Sequence, residues 1–586
     1  MRAGAGSGDR RGGTAAGLFG AAVLVAGTVL GAGGAYAQPS PPASGTGSPS
    51  GSVAPSGSFA PSGSGSLSPS GRATGKAPGG EDEGDGHRDD GRGGKGDRGG
   101  KGDDGDRNGN RPGHRGGESP HASASATGTA TTPATGTAGT PTTGAGPAAP
   151  AAKPTGAARP APAGTVLTAA GAGPDTGLPT SQGLQQALAA VLADKNLGTV
   201  GLAVADAADG QLLYGSGENT AATPASTTKL ATSVAALSLI PGDTRLTTRV
   251  VKNAATGGIT LVGGGDPTLT GLPADQVQIG GVPADPDTAP ASLDALARQT
   301  AAALKAAGTT AVALDYDISL YSGSPLHKNH DNENIAAVTP LMVDEGKVDP
   351  KSREDAPARV TDPAGAAAEA FANLLKAQGI TVQGKAKQAA APAAADAPVL
   401  GRVDSPTVSR LVERMLTTSD NTLAEALARQ AALAAHQPAS FEGAATAVTQ
   451  ELARLGVPTA GVVLNDGSGL HTGNAIPPVV LVKLLALAAS ADHPTLRPVL
   501  TGLPIAGFTG TLGKRFGSTS GAADAAGLVR AKTGSLSGVN TLAGTVVDAD
   551  GRLLSFALMT RTTAPADTAR TAMDRVVARL AACGCH

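Results

Sequence analysis

The sequence predicts an α+β protein in which helices flank an antiparallel sheet and a second domain of mixed α/β character is inserted. Near the carboxyl end, three strand candidates succeed one another and precede an amphipathic helix at 566–582. Strands in hairpin succession form an antiparallel sheet, and a helix with one apolar face packs against it. Between 245 and 404, short strand candidates alternate with turns and one clear helix, which indicates the separate mixed domain. The three strand candidates are 527–535, 541–547 and 553–559.

Residues 1–37 have the pattern of an export signal. Three arginines precede an apolar run at 15–33, and Ala35-Tyr36-Ala37 supplies the small residues at which such signals are cleaved. The run also approaches the length that spans a bilayer, so a retained anchor is the alternative. In either case we expect the rest of the chain outside the cytoplasm, in the cell wall or at the outer face of the membrane. Membrane contact is expected only if the segment is retained.

Residues 38–165 are predicted to be a disordered linker of low complexity. They consist mainly of Ser, Gly, Pro, Thr and Ala, with a block of mixed charge at 81–118. Such a segment buries too little apolar surface to offset the entropy of ordering. The glycines around Lys95 and Lys101 do not form a phosphate loop, because no strand precedes them and no helix follows.

The folded part of the chain begins with the segment 166–244, which combines two helices with a hairpin. Asp209-Gly210 is a turn signal between two short strand candidates. The second helix starts at Ser226 and stops before Pro241-Gly242, because this pair does not continue a helix. The first helix is predicted at 184–192, and the strands are predicted at 199–205 and 211–214.

Ser226 and Lys229 lie three residues apart at the start of the second helix. Residues i and i+3 project from the same helical face, so the hydroxyl and the amine can meet. A serine hydroxyl is a poor nucleophile at neutral pH, and a partly desolvated amine can stay neutral and accept its proton. The pair is therefore a candidate nucleophile and base, although a Ser-x-x-Lys motif alone also occurs by chance.

The segment 245–404 is predicted to be the inserted accessory domain. Its glycine-rich stretch at 263–267 resembles a phosphate-binding loop only superficially, because Pro267 follows at once and no helix opens there. His327, His330 and Asp331 are potential metal ligands, but a polar loop is the favoured interpretation of this cluster. We expect neither a metal nor another cofactor.

The segment 405–586 is predicted to complete a discontinuous domain together with 166–244. Ser419-Asp420-Asn421 lies between the first two of three predicted helices, and 466–470 forms a polar turn. Lys532-Thr533-Gly534 lies on the first of the carboxyl-terminal strands. The three helices are predicted at 405–415, 422–435 and 441–455.

Charge and composition argue against a nucleic-acid partner. The formal net charge is −2, and the chain has no Trp and only 2% aromatic residues. A nucleic-acid-binding surface needs a basic patch, and single-strand binding needs aromatic stacking platforms. We therefore expect no nucleic acid among the partners of this protein.

The two cysteines, Cys583 and Cys585, flank a single glycine at the carboxyl terminus. An exported protein permits a disulfide, but a bond between these two residues would close a tight ring and staple no long loop. Metal binding by this pair together with His586 is the less favoured alternative.

The motifs Ser226-x-x-Lys229, Ser419-Asp420-Asn421 and Lys532-Thr533-Gly534 occur in the order found in the penicillin-recognising serine enzymes, and the sequence resembles that group. The 193 residues from Ser226 to Ser419 leave room for an inserted domain. This spacing is similar to that of the class C low-molecular-mass penicillin-binding proteins, the D-alanyl-D-alanine carboxypeptidase/endopeptidase family. The resemblance covers about 180–582 and includes the stretches 263–269 and 466–470, although the insertion looks shorter than is usual for the family. It implies a DD-peptidase/β-lactamase-like fold.

The resemblance implies a role for each catalytic residue. Ser226 would attack the carbonyl between two D-alanines, with Lys229 as the proton acceptor, and form an acyl-enzyme. Ser419 would relay a proton to the leaving amine. The backbone N–H groups of Ser226 and Ser535 would form the oxyanion hole.

The resemblance also implies a substrate-binding strand and loop. The Asn421 amide would hold the peptide bond of the substrate, and Lys532 would contribute positive charge. The hydroxyls of Thr533 and Ser535, with Gly534 between them, suit the free carboxylate of a terminal D-alanine. Asp420, within the second motif, is interpreted as structural.

The implied substrates are peptidoglycan stem peptides ending in D-Ala-D-Ala, with β-lactam antibiotics as covalent inhibitors. Water as acceptor gives a carboxypeptidase or endopeptidase, whereas an amine gives a transpeptidase. The sequence shows no Glu-x-x-x-Asn element between Asn421 and Lys532, which argues against an efficient β-lactamase. A β-lactamase and a catalytically weak peptidoglycan-binding module stay as alternatives. An α/β-hydrolase is disfavoured because 166–586 contains no Gly-x-Ser-x-Gly elbow.

Overall fold

The computed structural model describes residues 177–330, 333–354 and 356–586. The predictions of an export signal at 1–37 and of disorder at 38–165 therefore lie outside the described residues. In the described part of the chain, no single helix has the length and apolar character needed to cross a bilayer, although one sharply bent helix pair meets those two criteria together.

Twelve strands and ten α-helices are present in the described residues. The strands are β1 (Thr199–Asp206), β2 (Leu212–Ser216), β3 (Arg245–Lys252), β4 (Ile259–Val262), β5 (Gln278–Ile279), β6 (Val282–Pro283), β7 (Ala311–Asp317), β8 (Thr381–Gln388), β9 (Val399–Thr407), β10 (Val529–Leu536), β11 (Val539–Val547) and β12 (Leu553–Arg561). The helices are α1 (Ser181–Leu192), α2 (Thr228–Leu239), α3 (Leu293–Ala306), α4 (Pro363–Ala377), α5 (Val408–Thr418), α6 (Asn421–Ala434), α7 (Phe441–Arg454), α8 (Pro478–Ala489), α9 (Pro498–Thr501) and α10 (Ala566–Ala581).

The first sheet has five antiparallel strands in the order β10-β11-β12-β1-β2. Side chains alternate between two cores, as the two-residue period of a strand requires. In β1, Ala203 and Ala205 face the core that contains α2 and α8, whereas Leu202 and Val204 face the core built with α1 and α10. The predicted α+β architecture, with an antiparallel sheet flanked by helices, is confirmed.

The second sheet is mixed, with the order β8-β7-β4-β3-β9. β7 is parallel to both β4 and β8, whereas β3 is antiparallel to β4 and β9. Helices α3 and α4 pack on this sheet around Leu296, Phe371 and Leu375. The chain between α2 and α5 therefore has the mixed α/β character that its sequence predicts.

The helix predicted at 405–415 begins later, because β9 continues to Thr407 and α5 starts at Val408. The Ser405 hydroxyl accepts a hydrogen bond from the Leu246 N–H at 2.9 Å, which holds this residue in the sheet. Pro406 disfavours helical backbone at the residue before it. Thr407 then caps α5 by accepting from the Arg410 N–H.

Helix α8 was not predicted from the sequence. It is apolar on nearly all sides and packs against β1, β12 and α2. Because both the sheet face and the neighbouring helix bury it, its sequence lacks the apolar and polar alternation of a surface helix. A short apolar run without such a period does not distinguish a buried helix from a buried strand.

A buried ion cluster attaches the chain before α4 to the turn between α5 and α6. The Glu345 carboxylate forms ion pairs with Arg414 on α5 and with Lys347. Burial opposes ionisation of Glu345, but Arg414 and Lys347 hold the pKa of this carboxyl well below its usual range. Asp344 and Glu345 both adopt left-handed backbone, which is uncommon for residues other than glycine.

Asp420 lies on the other side of this cluster. Its side chain caps α6 by accepting a hydrogen bond from the Leu423 N–H at 2.9 Å. Burial, together with the nearby negative charge of Glu345, raises the pKa of Asp420 to about 6. The contact between the Asp420 and Glu345 side chains sets the position of the turn that carries Ser419 and Asn421.

We predict a large and a small change in stability for two substitutions that each replace a carboxylate of this cluster with an uncharged amide. Glu345→Gln leaves the buried Arg414 guanidinium without its carboxylate, so the free energy of unfolding should fall by about 3 kcal/mol. Asp420→Asn keeps a capping oxygen and removes a negative charge beside Glu345, so it should change that free energy by less than about 1 kcal/mol. Urea denaturation at pH 7 measures both, and equal losses would contradict the proposed arrangement of charges.

Candidate active site

Ser226 lies in a 3-10 turn, Ala225–Thr227, directly before α2, and not in the first turn of the α-helix itself. The turn places Ala225 in left-handed backbone with φ of 48°. The Thr228 hydroxyl stabilises this conformation by donating to the Ala225 carbonyl at 2.8 Å. Ser226 remains partly exposed while its neighbours on both sides are buried, so its hydroxyl is presented to solvent from a fixed backbone.

Lys229 is fully buried and donates three hydrogen bonds. Its Nζ lies 3.1 Å from Ser226 Oγ, which is the contact expected from the i, i+3 spacing. The other two acceptors are Asn421 Oδ1 and the Ser468 carbonyl, each at 2.7 Å. The amine is therefore held in one position beside the serine.

Burial lowers the pKa of Lys229 to about 8, although the negative charges of Asp466, Glu425 and Asp420 partly oppose this shift. Desolvation disfavours the charged ammonium because the protein interior solvates it less well than water does. At pH 7 about one-tenth of the molecules would carry the neutral amine, compared with fewer than one in a thousand for an ordinary lysine. Lys229 has the protonation behaviour of a base that works near neutral pH.

Ser419 and Asn421 enter the site from the turn between α5 and α6. Ser419 ends α5 in left-handed backbone with φ of 62°. The Asn421 amide accepts from Lys229 through Oδ1 and donates through Nδ2 to the Asn334 carbonyl at 3.0 Å. These two contacts fix the orientation of the amide, and Asn334 belongs to the chain between α2 and α5.

Lys532 is the second buried lysine of the site. Its Nζ donates to Ser419 Oγ at 2.9 Å and to the Thr533 carbonyl at 2.7 Å. Burial, and then the charge of nearby Lys229, lowers the pKa of Lys532 well below its usual value. A charge on Lys229 thus disfavours protonation of Lys532, because the two amines lie in one buried cleft.

Gly534 allows β10 to approach the 3-10 turn. A Cβ at this position would lie 2.8 Å from the Pro224 carbonyl oxygen and 3.0 Å from the Ser226 nitrogen. It would also lie 2.1 Å from the Thr541 hydroxyl, which itself donates to the Pro224 carbonyl at 2.8 Å. Only a residue without a side chain fits between these groups, so the third motif brings its strand edge against the turn that carries Ser226.

Two hydroxyls flank Gly534 on β10. The Thr533 hydroxyl lies 2.7 Å from the Thr511 hydroxyl. The Ser535 side chain is exposed, and its Oγ accepts from Arg570 Nη2 at 3.1 Å. Neither Thr511 nor Arg570 belongs to a motif that the sequence analysis identified.

The turn at 466–470 contributes more than the sequence indicated, because it packs against the 3-10 turn that carries Ser226 and against the start of α2. Besides the Ser468 carbonyl, its Gly467 carbonyl accepts from the Thr232 hydroxyl of α2 at 2.7 Å. Gly469 has φ of +89°, and a Cβ there would lie 1.8 Å from the Ala225 carbonyl oxygen. Besides the family resemblance of this stretch, the sequence signal for the close approach is a polar turn with two glycines.

His330 is buried in the loop interpreted as polar, and its Nε2 lies 2.8 Å from Asp466 Oδ2. Within the described residues, ligand atoms of His330, Glu425 and Asp466 lie within 4.8 Å of one another. However, Glu425 accepts from the Gly467 and Ser468 N–H groups, and Asp466 accepts from the Gly469 N–H. The carboxylates thus serve as acceptors that hold the 466–470 turn, and the expectation that no metal binds stays a prediction.

The structure thus assembles the three sequence motifs into one cleft. Ser226, Lys229 and Asn421 form one hydrogen-bonded group, and Ser419, Lys532 and Thr533 form another. Both groups meet where Gly534 contacts the turn that carries Ser226.

Comparison with known proteins places this chain in a family. The model of the D-Ala-D-Ala carboxypeptidase 3 (S13) family matches residues 184–358 and 351–582. A carboxypeptidase of Mycobacterium tuberculosis is 34% identical over 417 residues, which are 70% of this chain and 85% of that protein. The carboxypeptidase DacB of Mycolicibacterium smegmatis is 35% identical over 418 residues, with the same two coverages of 70% and 85%.

The fold has a counterpart among solved structures. Penicillin-binding protein 4 of Haemophilus influenzae superposes with a TM-score of 0.54 at 20% identity, over 68% of this chain and 98% of that one. This likeness concerns the fold alone, whereas the family match spans more than half of the chain and includes all three motifs. The chain therefore belongs to the D-Ala-D-Ala carboxypeptidase 3 (S13) family.

Proposed function

We propose that this enzyme acts on peptidoglycan stem peptides as a serine-type D-Ala-D-Ala carboxypeptidase/endopeptidase, through an acyl-enzyme at Ser226. The observation that carries the proposal is the buried Lys229 amine, 3.1 Å from Ser226 Oγ and with its pKa lowered to about 8. A hydroxyl beside an amine that can be neutral is an activated nucleophile. Since peptidoglycan lies outside the cytoplasm, this function agrees with the export pattern of residues 1–37.

Acylation uses the two hydrogen-bonded groups in sequence. Ser226 Oγ bonds to the carbonyl carbon of the penultimate D-alanine while its proton passes to Lys229 Nζ. The oxyanion accepts from the backbone N–H groups of Ser226 and Ser535. The C–N bond then breaks, and the proton that Lys229 accepted passes to the leaving amine through Ser419 Oγ, which already accepts from Lys532. Lys229 is thereby returned to its neutral form.

Deacylation adds water to the resulting ester. The water oxygen bonds to the acyl carbon while Lys229 Nζ accepts a proton from the water. The ester C–O bond then breaks, that proton passes to Ser226 Oγ, 3.1 Å from Nζ in the free enzyme, and the shortened peptide leaves. In a β-lactam the leaving amine remains tethered to the acyl group after the ring opens, so the ester should persist. The Haemophilus influenzae protein with the similar fold has been solved in complex with a β-lactam.

The division of the chain into a discontinuous catalytic domain, 166–244 with 405–586, and an accessory domain, 245–404, is part of this proposal. It is supported by the two separate sheets. The accessory segment also serves the catalytic cleft directly, because the Asn334 carbonyl accepts from Asn421 and His330 contacts Asp466.

We predict that acylation of Ser226 depends on pH through Lys229. Because the neutral amine is the reactive form, the second-order rate constant for a fluorescent penicillin should rise about tenfold per pH unit below the pKa and level off above about pH 8. Stopped-time labelling between pH 6 and 9.5 measures this rate. A rate that does not change across this range would contradict the assignment of Lys229 as the base.

We also predict that Ser226→Ala abolishes both the penicilloyl adduct and the release of D-alanine, because no other hydroxyl occupies this position. Ser238→Ala is the matched control, since Ser238 lies at the far end of the same helix and hydrogen-bonds to Glu451. Intact-mass spectra and D-alanine assays of a muropeptide mixture provide the two measurements. An adduct on the Ser226→Ala variant would contradict Ser226 as the nucleophile. Rapid repeated turnover of a chromogenic cephalosporin by the wild type would instead favour the β-lactamase alternative.

A further inference from the structure

Recognition of a terminal carboxylate requires a cation or strong donors at the edge of β10. Lys532 is 0% exposed, and its ammonium is already bonded to Ser419 and to the Thr533 carbonyl. The amine is therefore already engaged beneath the strand edge, and because burial lowers its pKa well below the usual value, it is a weak source of positive charge there. A second cation at that edge would supply the direct contact.

Arg570 on α10 is that cation. Its Nη2 donates to Ser535 Oγ at 3.1 Å, and its side chain is 38% exposed. A hydroxyl has one donor and two acceptor positions, so a bond accepted from Arg570 leaves the Ser535 hydrogen free to donate outward. A guanidinium is always charged, and its planar fork matches the geometry of a carboxylate.

The ion pair that Arg570 already forms with Asp567 leaves the guanidinium charge available to a ligand. Asp567 lies 3.1 Å from Nη1, but its side chain is 96% exposed. An ion pair in such a solvated position is weak, because water and salt screen it. An incoming carboxylate in the less exposed cleft can therefore interact with the guanidinium without first breaking a strong bond.

The position of Arg570 is fixed by the segment that also contacts Thr533. Arg515 donates to the Arg570 carbonyl at 3.3 Å and forms a nearly buried ion pair with Asp574 of the same helix. Thr511, four residues before Arg515, lies 2.7 Å from the Thr533 hydroxyl. One short segment thus ties the start of α10 to the hydroxyl-bearing edge of β10.

We propose that Arg570 determines specificity by binding the free carboxylate of the residue that leaves, together with the hydroxyls of Ser535 and Thr533. This inference rests on the proposed function, because it assigns one substrate contact within the same cleft. It predicts that the enzyme prefers peptides with a free terminal carboxylate over the same peptides ending in an amide.

The test compares the full-length wild type with Arg570→Gln and Arg570→Lys on two substrates, diacetyl-L-Lys-D-Ala-D-Ala and its C-terminal amide. The glutamine variant should lower kcat/KM for the free acid by about tenfold, mainly through KM, and leave the amide almost unchanged, because one charge-assisted contact is lost. The lysine variant keeps the charge and should recover part of the preference. Formation of the shared product, diacetyl-L-Lys-D-Ala, is measured by chromatography for both substrates.

Arg579→Gln is the matched control, because Arg579 lies on the same helix and donates instead to the Ala187 carbonyl. It should leave the ratio of acid to amide unchanged. An Arg570→Gln variant that loses activity on both substrates equally, or keeps the wild-type ratio, would overturn the inference while the proposed function stands. A wild type that cleaves neither peptide would refute the proposed function, and the inference would fall with it.

Discussion

Burial of one amine beside one hydroxyl is the constraint on which the rest of this structure depends. A lysine in water is protonated at neutral pH and cannot accept a proton, so Lys229 must be desolvated to act as a base. Burying the amine completely would destabilise the fold unless its N–H groups found hydrogen-bond acceptors. Ser226, Asn421 and the Ser468 carbonyl supply these acceptors, and they come from three separate parts of the chain.

Two of these acceptors are in turn held by contacts that the proposed chemistry does not use. The Ser468 turn is fixed by the Glu425 carboxylate, and the Asn421 amide is fixed by the Asn334 carbonyl. Glu345 contacts both Arg414 and Asp420, which orients the turn that carries Ser419. The chain between α2 and α5 therefore does more than add a second sheet, because it provides part of the support for the cleft that holds Ser226 and Lys229.

Local pattern and family motifs predicted the parts of the site that depend on short stretches of sequence. The i, i+3 relation of Ser226 and Lys229 follows from helical geometry, and the strand that carries Lys532 follows from alternation and hairpin spacing. The Glu345 cluster, the burial of His330 and the contact of Arg570 were not predicted. These contacts join residues that are far apart in sequence, and neither helical nor strand periodicity indicates which distant residue a polar side chain will contact.

The most direct test of this account is the pKa of Lys229 itself. Lysine labelled with 13C at the ε-carbon can be titrated by NMR in the full-length protein, and the resonance can be assigned by its loss in Lys229→Gln. The account predicts a midpoint near pH 8. With this pKa, the amine is neutral and can accept the serine proton at a pH closer to neutral than a solvated lysine can. A midpoint above about pH 10, the value of a solvated lysine, would contradict it.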